Sequence, residues 1–279
     1  MKNFQLLSLA GAMLVPLVAA AAQEMPLAVA NQVLQSVGPV AANHKAHRTL
    51  INNLSAFYPN DYGVPISGFA ASNNGAVLAI GGSFMNASSY SMMTPDAAEG
   101  VKAEIFQSID FSKLIKLSYG AGGQRRVILW SAIDCPSCAR FEEWMIRSNP
   151  DATFYLVPTA LDRSDAKKRA LVTNIWCSID AAGAWRNWML RRQEPRGPFR
   201  PSCDVNYDAG EGFAMAMTSA GAQLYGTPAF ILESGEVRNR WANDQVESGR
   251  NLFLRKLDGR RLSGLHPEDI ATGFQSLKR

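Results

Sequence analysis

Three rhythms of apolar and polar positions run along this chain. The first is a nearly unbroken apolar run over residues 6–18, LLSLAGAMLVPLV, between Lys2 and a small-residue stretch that ends at Ala22. A basic start, a short apolar core and small closing residues predict a secretory signal peptide over residues 1–22. The core contains Pro16 and falls short of the ~20 residues that a membrane span needs. The second rhythm, over residues 23–93, has few charges and no cysteine. Residues 29–37 and 44–57 read as helices. Residues 62–89 read as a small antiparallel hairpin, because their short apolar runs are broken by Asn74-Gly75 and Gly81-Gly82.

A helix start follows at Thr94: Thr as N-cap, Pro95 at the first helical position and Asp96 in the first turn. It reads as a helical linker over residues 94–117. From there the third rhythm begins. The run VILW after Arg126 and the run TFYLVP over 153–158 are continuous enough to be central buried strands. Between them, Cys138, Phe141 and Met145 fall on one helical face. Residues 165–179, 181–192 and 208–221 read as further helices, and 227–237 as a strand and turn. Strands alternating with helices predict an α/β layer structure over residues 118–279.

Composition narrows the function. A formal charge of +4 over 279 residues is mild, and the basic residues near the end are interrupted by Asp258, Glu268 and Asp269. Without interleaved aromatics this is a solvated face, and no nucleic-acid partner is expected. Four cysteines in an exported chain lie where disulfides persist. Zinc would want two close pairs, and Cys177 and Cys203 are far apart in sequence, so no metal is expected.

The stretch with most chemistry is IDCPSCARF, where Cys135 and Cys138 sit at the passage from strand to helix. Free N–H groups and the macrodipole at a helix N-terminus favour an anion, which lowers the pKa of Cys135 and makes it a nucleophile. Cys138, one turn on, is placed to attack a mixed disulfide on Cys135. The pair reads as redox-active, with a static staple as the alternative. Thr227-Pro228 opens a predicted strand, which is odd because proline cannot donate to a ladder. It is either an ordinary turn or a cis-proline loop against the Cys-x-x-Cys that leaves the Thr227 backbone to pair with substrate.

The order CPSC, NIWCSIDAAGAW, PSCD and YGTPAFIL resembles the DsbC/DsbG-type periplasmic thiol:disulfide isomerases of the thioredoxin superfamily, from about residue 118 to 237. The resemblance implies Cys135 as nucleophile, Cys138 as resolving thiol, Thr227-Pro228 as the cis-proline loop and Cys177–Cys203 as a structural disulfide beside a helical insertion. It also implies an α/β thioredoxin-like catalytic domain preceded by a small α+β dimerisation domain over 23–93 and the helical linker. A periplasmic homodimer is implied, acting without a cofactor on misfolded or mis-bridged exported proteins and re-reduced by a membrane electron donor of the DsbD type. Within the family pattern Ser137 replaces a bulkier residue, the hairpin stretch is short, and a tail runs on after Leu257.

Other residues carry blander readings. His44, His47 and His266 are dispersed and read as surface or cap residues. Trp130 and Asp134 flank the cysteines and are candidates for tuning them, Asp134 reading rather as a loop residue. Trp176, Trp185 and Trp188 read as core. The rivals to an isomerase are a net oxidant or reductase with the same Cys-x-x-Cys, and a non-catalytic chaperone.

Overall fold

The computed structural model describes residues 44–59, 68–72, 77–80, 82–86, 89, 91–123, 126–222, 224, 226–232 and 236–239. The expected signal peptide, the helix expected over 29–37, His266 and the tail after Leu257 lie outside the described residues.

Among the described residues there are two five-stranded sheets. The first is antiparallel in chain order: β1 (Lys45–Arg48), β2 (Leu54–Tyr58), β3 (Phe69–Ser72), β4 (Val77–Ile80) and β5 (Ser83–Asn86). The hairpin expected over 62–89 is there as β3–β5, but the helix expected over 44–57 is not. Its place is taken by β1 and β2 around a built turn. The Thr49 hydroxyl donates towards the carbonyls of Ile51 and Leu54 and accepts from the Ile51 N–H, and Asn53 takes a left-handed φ of 61°. Ala56, Phe57 and Tyr58 are all buried, so β2 needs apolar side chains on both faces, and that continuous run mimics a helical one.

Helix α1 (Pro95–Gln107) starts where expected, with the Thr94 hydroxyl accepting from Ala97 N–H. The second sheet then begins earlier than residue 118, at β6 (Ile115–Tyr119), whose alternating inward Ile115, Leu117 and Tyr119 pair with β8. Its strand order is β10-β9-β7-β8-β6, from β7 (Val127–Ala132), β8 (Ala152–Thr159), β9 (Ala229–Ile231) and β10 (Val237–Asn239). β7 runs parallel to β8 and antiparallel to β9, and all six of its side chains are buried. A parallel pair needs a crossover, which α2 (Pro136–Ser148) supplies. Helices α3 (Ala166–Cys177) and α4 (Ala181–Arg191) are inserted before α5 (Tyr207–Ser219). This is a thioredoxin-like α/β arrangement with a helical insertion.

α5 is the joint between the sheets. It is buried along almost its whole length, and its two sides meet different partners. Gly210 lies against Trp176 and the Pro158 carbonyl, while Met215 clusters with Ala56 and Tyr58 of β2. A helix that is apolar all round needs cover on every side. At its end the Gly82 N–H of the β4–β5 turn donates to Ser219 O at 2.9 Å. Gly82 and Gly221 both hold left-handed φ, at 86° and 89°, and approach so closely that a Cβ on either would press on the other.

Candidate active site

The site is built at the carboxyl end of β7, where the chain turns into α2. Cys135 is the N-cap of α2, and its sulfur accepts a hydrogen bond from Cys138 N–H at 3.3 Å. Pro136 fills the first helical position, where a missing N–H costs nothing. In its thiol form Cys135 donates to the Thr227 carbonyl, 3.3 Å away, across a long sequence gap. The Thr227-Pro228 bond is cis. The two segments singled out in the sequence are therefore in contact.

Both thiols are free, and both are buried. The Cys135 thiol is lowered to about 6: the Cys138 S–H donates to the thiolate, burial opposes, and the Thr227 side chain with the Cys138 and Ser137 N–H groups adds to the lowering. Cys138 is driven the other way, far above the ordinary thiol range, by burial and by the charge and hydrogen bond of Cys135. The pair is thus polarised into one nucleophile and one protonated partner behind it. Ser131, buried on β7, offers its hydroxyl to Cys138.

The loop before Cys135 is pinned from three elements. Ile133 N–H donates to Thr159 O at 2.9 Å, and the Ile133 carbonyl accepts both Trp188 Nε1 and Arg192 Nη1, each at 2.8 Å. Asp134 accepts from the backbone N–H of Leu161 and Asp162 and pairs with Lys168 Nζ at 3.0 Å. Burial raises its pKa, but these partners outweigh that and hold it below the usual carboxylate range. Asp134 is therefore a loop fastener. Trp130 is buried within β7.

Cys177 and Cys203 form a disulfide, with Cα atoms 5.6 Å apart, that closes the loop after the α3–α4 insertion. Trp176, Trp185 and Trp188 are packed, and each indole N–H is satisfied: by Lys113 O, Glu142 and Ile133 O respectively. His47 stacks on Tyr58, and its Nε2 lies 3.3 Å from the Tyr58 carbonyl oxygen. Among the described residues no group of His, Cys, Asp and Glu side chains is placed to hold a metal ion.

Sequence reading missed Ser131, Glu142 and Arg192. Glu142 lies wholly buried on α2, accepting from Tyr119 OH at 2.7 Å, Trp185 Nε1 at 3.1 Å and Arg186 Nε at 3.4 Å. Burial raises its pKa against those three donors. One signal was legible: position 142 follows Cys138 by one helical turn, on the face assigned to the core.

No protein-family model matches the chain. It is similar to proteins described as "Probable thiol:disulfide interchange protein DsbC" from Bordetella pertussis and Bordetella bronchiseptica, 25% identical over 160 residues in each case. These matches take in 56% of this chain and 52% of each relative, so the chain spans about half the length of the curated relatives it matches. Among solved structures, the disulfide interchange protein from Neisseria gonorrhoeae aligns at 22% identity and a TM-score of 0.41, over 54% of this chain and 99% of that one. The similarity is thus to DsbC-type thiol:disulfide interchange proteins.

Proposed function

We propose that the chain is a periplasmic thiol:disulfide isomerase acting through Cys135 and Cys138 on exported proteins. The observation that carries this reading is the polarised pair: a helix-capping Cys135 with its pKa lowered to about 6, against the Thr227 carbonyl, and a buried Cys138 held protonated behind it. The Cys135 thiolate attacks one sulfur of a wrong client disulfide, the S–S bond breaks, and the other client sulfur leaves as thiolate. A second client thiol then attacks the mixed disulfide and expels Cys135, so the client is rearranged with no net electron transfer. If Cys138 attacks instead, the client leaves reduced and a Cys135–Cys138 disulfide forms. That product needs two electrons from a donor, for which a membrane dithiol of the DsbD type is the partner we assign.

In this reading Thr227 and Pro228 hold the client backbone, no cofactor takes part, and a homodimer forms through the domain at residues 23–93. Among the described residues no helix is long and apolar enough to cross a membrane. The test is regain of activity by scrambled ribonuclease with catalytic amounts of reduced protein. Regain that depends on Cys135 is expected. Net oxidation of a reduced client in place of rearrangement would transfer the assignment to an oxidant.

A further inference from the structure

The helical insertion brings a charge asymmetry up to the loop before the nucleophile. Residues 166–203 hold eight Lys and Arg against Asp180 and Glu194, a net charge of +6 where the entire chain carries +4. The remainder of the protein is therefore net acidic, and the basic character is local. The insertion is also rigid. The Cys177–Cys203 disulfide closes it, Ile179 N–H and Arg200 N–H bond to the Pro198 and Cys177 carbonyls, and Arg200 Nη2 bonds to Trp176 O.

Arg192 is the member of this surface fixed against the active-site loop. It ends α4 in a left-handed conformation, φ 55°, and its guanidinium lies 5.4 Å over the Trp188 ring. Its Nη1 donates to the Ile133 carbonyl at 2.8 Å. Ile133 precedes Cys135 by two residues, so this cation is fastened to the loop that presents the nucleophile. A guanidinium has five N–H donors in a fixed fork, and one of them suffices for Ile133. Arg192 is exposed, as are Arg191 and Arg196 behind it. Of the acidic groups, Asp134 is bound to Lys168 and two backbone N–H groups, and Glu194, two residues after Arg192, is exposed.

We propose that Arg192, backed by the basic insertion, selects clients that carry an acidic residue beside the cysteine under attack. The guanidinium offers a client carboxylate a fixed contact on the loop that leads into Cys135, and the surrounding positive field draws acidic segments in. This inference rests on Cys135 being the nucleophile.

The experiment follows oxidation of the reduced full chain, as mixed disulfide or as Cys135–Cys138 disulfide, by mass spectrometry with three small disulfides: glutathione disulfide (anionic), 2-hydroxyethyl disulfide (neutral) and cystamine (cationic). In each, the Cys135 thiolate displaces one thiolate of the probe. The anionic probe should gain over the cationic one, and the ratio should shrink as salt rises from 0.01 M to 1 M, where screening shortens to about 3 Å. Arg192→Gln should lower the ratio by about fivefold per unit charge, the factor for unit charges about 4 Å apart in water, and Arg192→Lys should restore most of it. A wild-type ratio insensitive to salt, or an unchanged ratio in Arg192→Gln, overturns the proposal. Failure of all three probes to react would instead overturn the nucleophile assignment. The wild-type salt series needs no variant, so a poorly folding Arg192→Gln leaves the test intact.

Discussion

The sulfur of Cys135 accepts the backbone N–H of Cys138 at 3.3 Å, so the nucleophile caps the very helix that carries its partner. Ionisation strengthens this cap, since a thiolate is a better acceptor than a thiol and sits at the positive end of the helix dipole. The rate of alkylation by iodoacetamide should therefore titrate with a midpoint of about 6 for Cys135, while Cys138 stays unreactive across the physiological range. A midpoint in the ordinary thiol range would refute the geometry.

The main donor to that thiolate is the Cys138 S–H, which makes the choice of replacement informative. Cys138→Ala removes the donor and should move the Cys135 midpoint upward. Cys138→Ser keeps an O–H in its place and should move it less, while trapping mixed disulfides with clients. Cys135→Ser should abolish interchange. Equal midpoints in the Ala and Ser variants would show that the side-chain donor is not what lowers the pKa.

The same shift links stability to pH. The Cys135 pKa falls on folding from 9.0 to about 6, so its contribution to the reduced protein is fully present above pH 9 and is lost as pH falls through 6. The urea midpoint of the reduced wild type, relative to Cys135→Ala, should rise between those limits. A flat difference from pH 5 to 9 would contradict a thiolate in the folded state.

Glu142 has no part in the chemistry but joins α2, α4 and β6 through Trp185, Arg186 and Tyr119. Its removal leaves two buried donors, Tyr119 OH and Trp185 Nε1, without an acceptor and frees the half-buried Arg186 Nε. Glu142→Ala should cost about 3–5 kcal/mol in chemical denaturation, in the range for breaking a buried charged network. A loss under ~1 kcal/mol would mean that water takes its place.

The Cys177–Cys203 bridge spans 26 residues, for which chain entropy gives about 3–4 kcal/mol. The double Cys→Ser variant should lose that much in thermal or urea unfolding and keep Cys135 reactive. In the wild type, mild reductant should open Cys135–Cys138 before this bridge.

Much of the site was legible because its signals are local. The strand-to-helix passage at Cys135, Pro136 in the first turn and the Thr94 cap are each written in a few adjacent residues. The misreadings arose where tertiary contacts decide. Residues 44–57 look helical because β2 is buried on both faces, and only its partners α5 and β3 reveal that. Arg192 was invisible for the same reason: its meaning comes from Ile133, which is distant in sequence and adjacent in space.

The packing of the first sheet on α5 makes the hardest prediction. Were residues 23–93 an independent module, deleting them would leave the catalytic domain intact. In the structure Met215 is buried by Ala56 and Tyr58, Tyr58 OH reaches the Asp208 carbonyl at 3.5 Å, and Gly82 N–H holds Ser219 O. Burying a side chain of this size is worth about 1.5–3 kcal/mol, and several are involved. Deletion should therefore expose an apolar face of α5 and lower the stability of the catalytic domain by several kcal/mol, read as an early, broad thermal transition and dye binding. Gly82→Val is the gentler form of the test. It places a Cβ against Gly221 at a left-handed φ, and should destabilise without touching the cysteines. A truncated protein that melts as sharply and as high as the full chain would show that the two sheets fold independently.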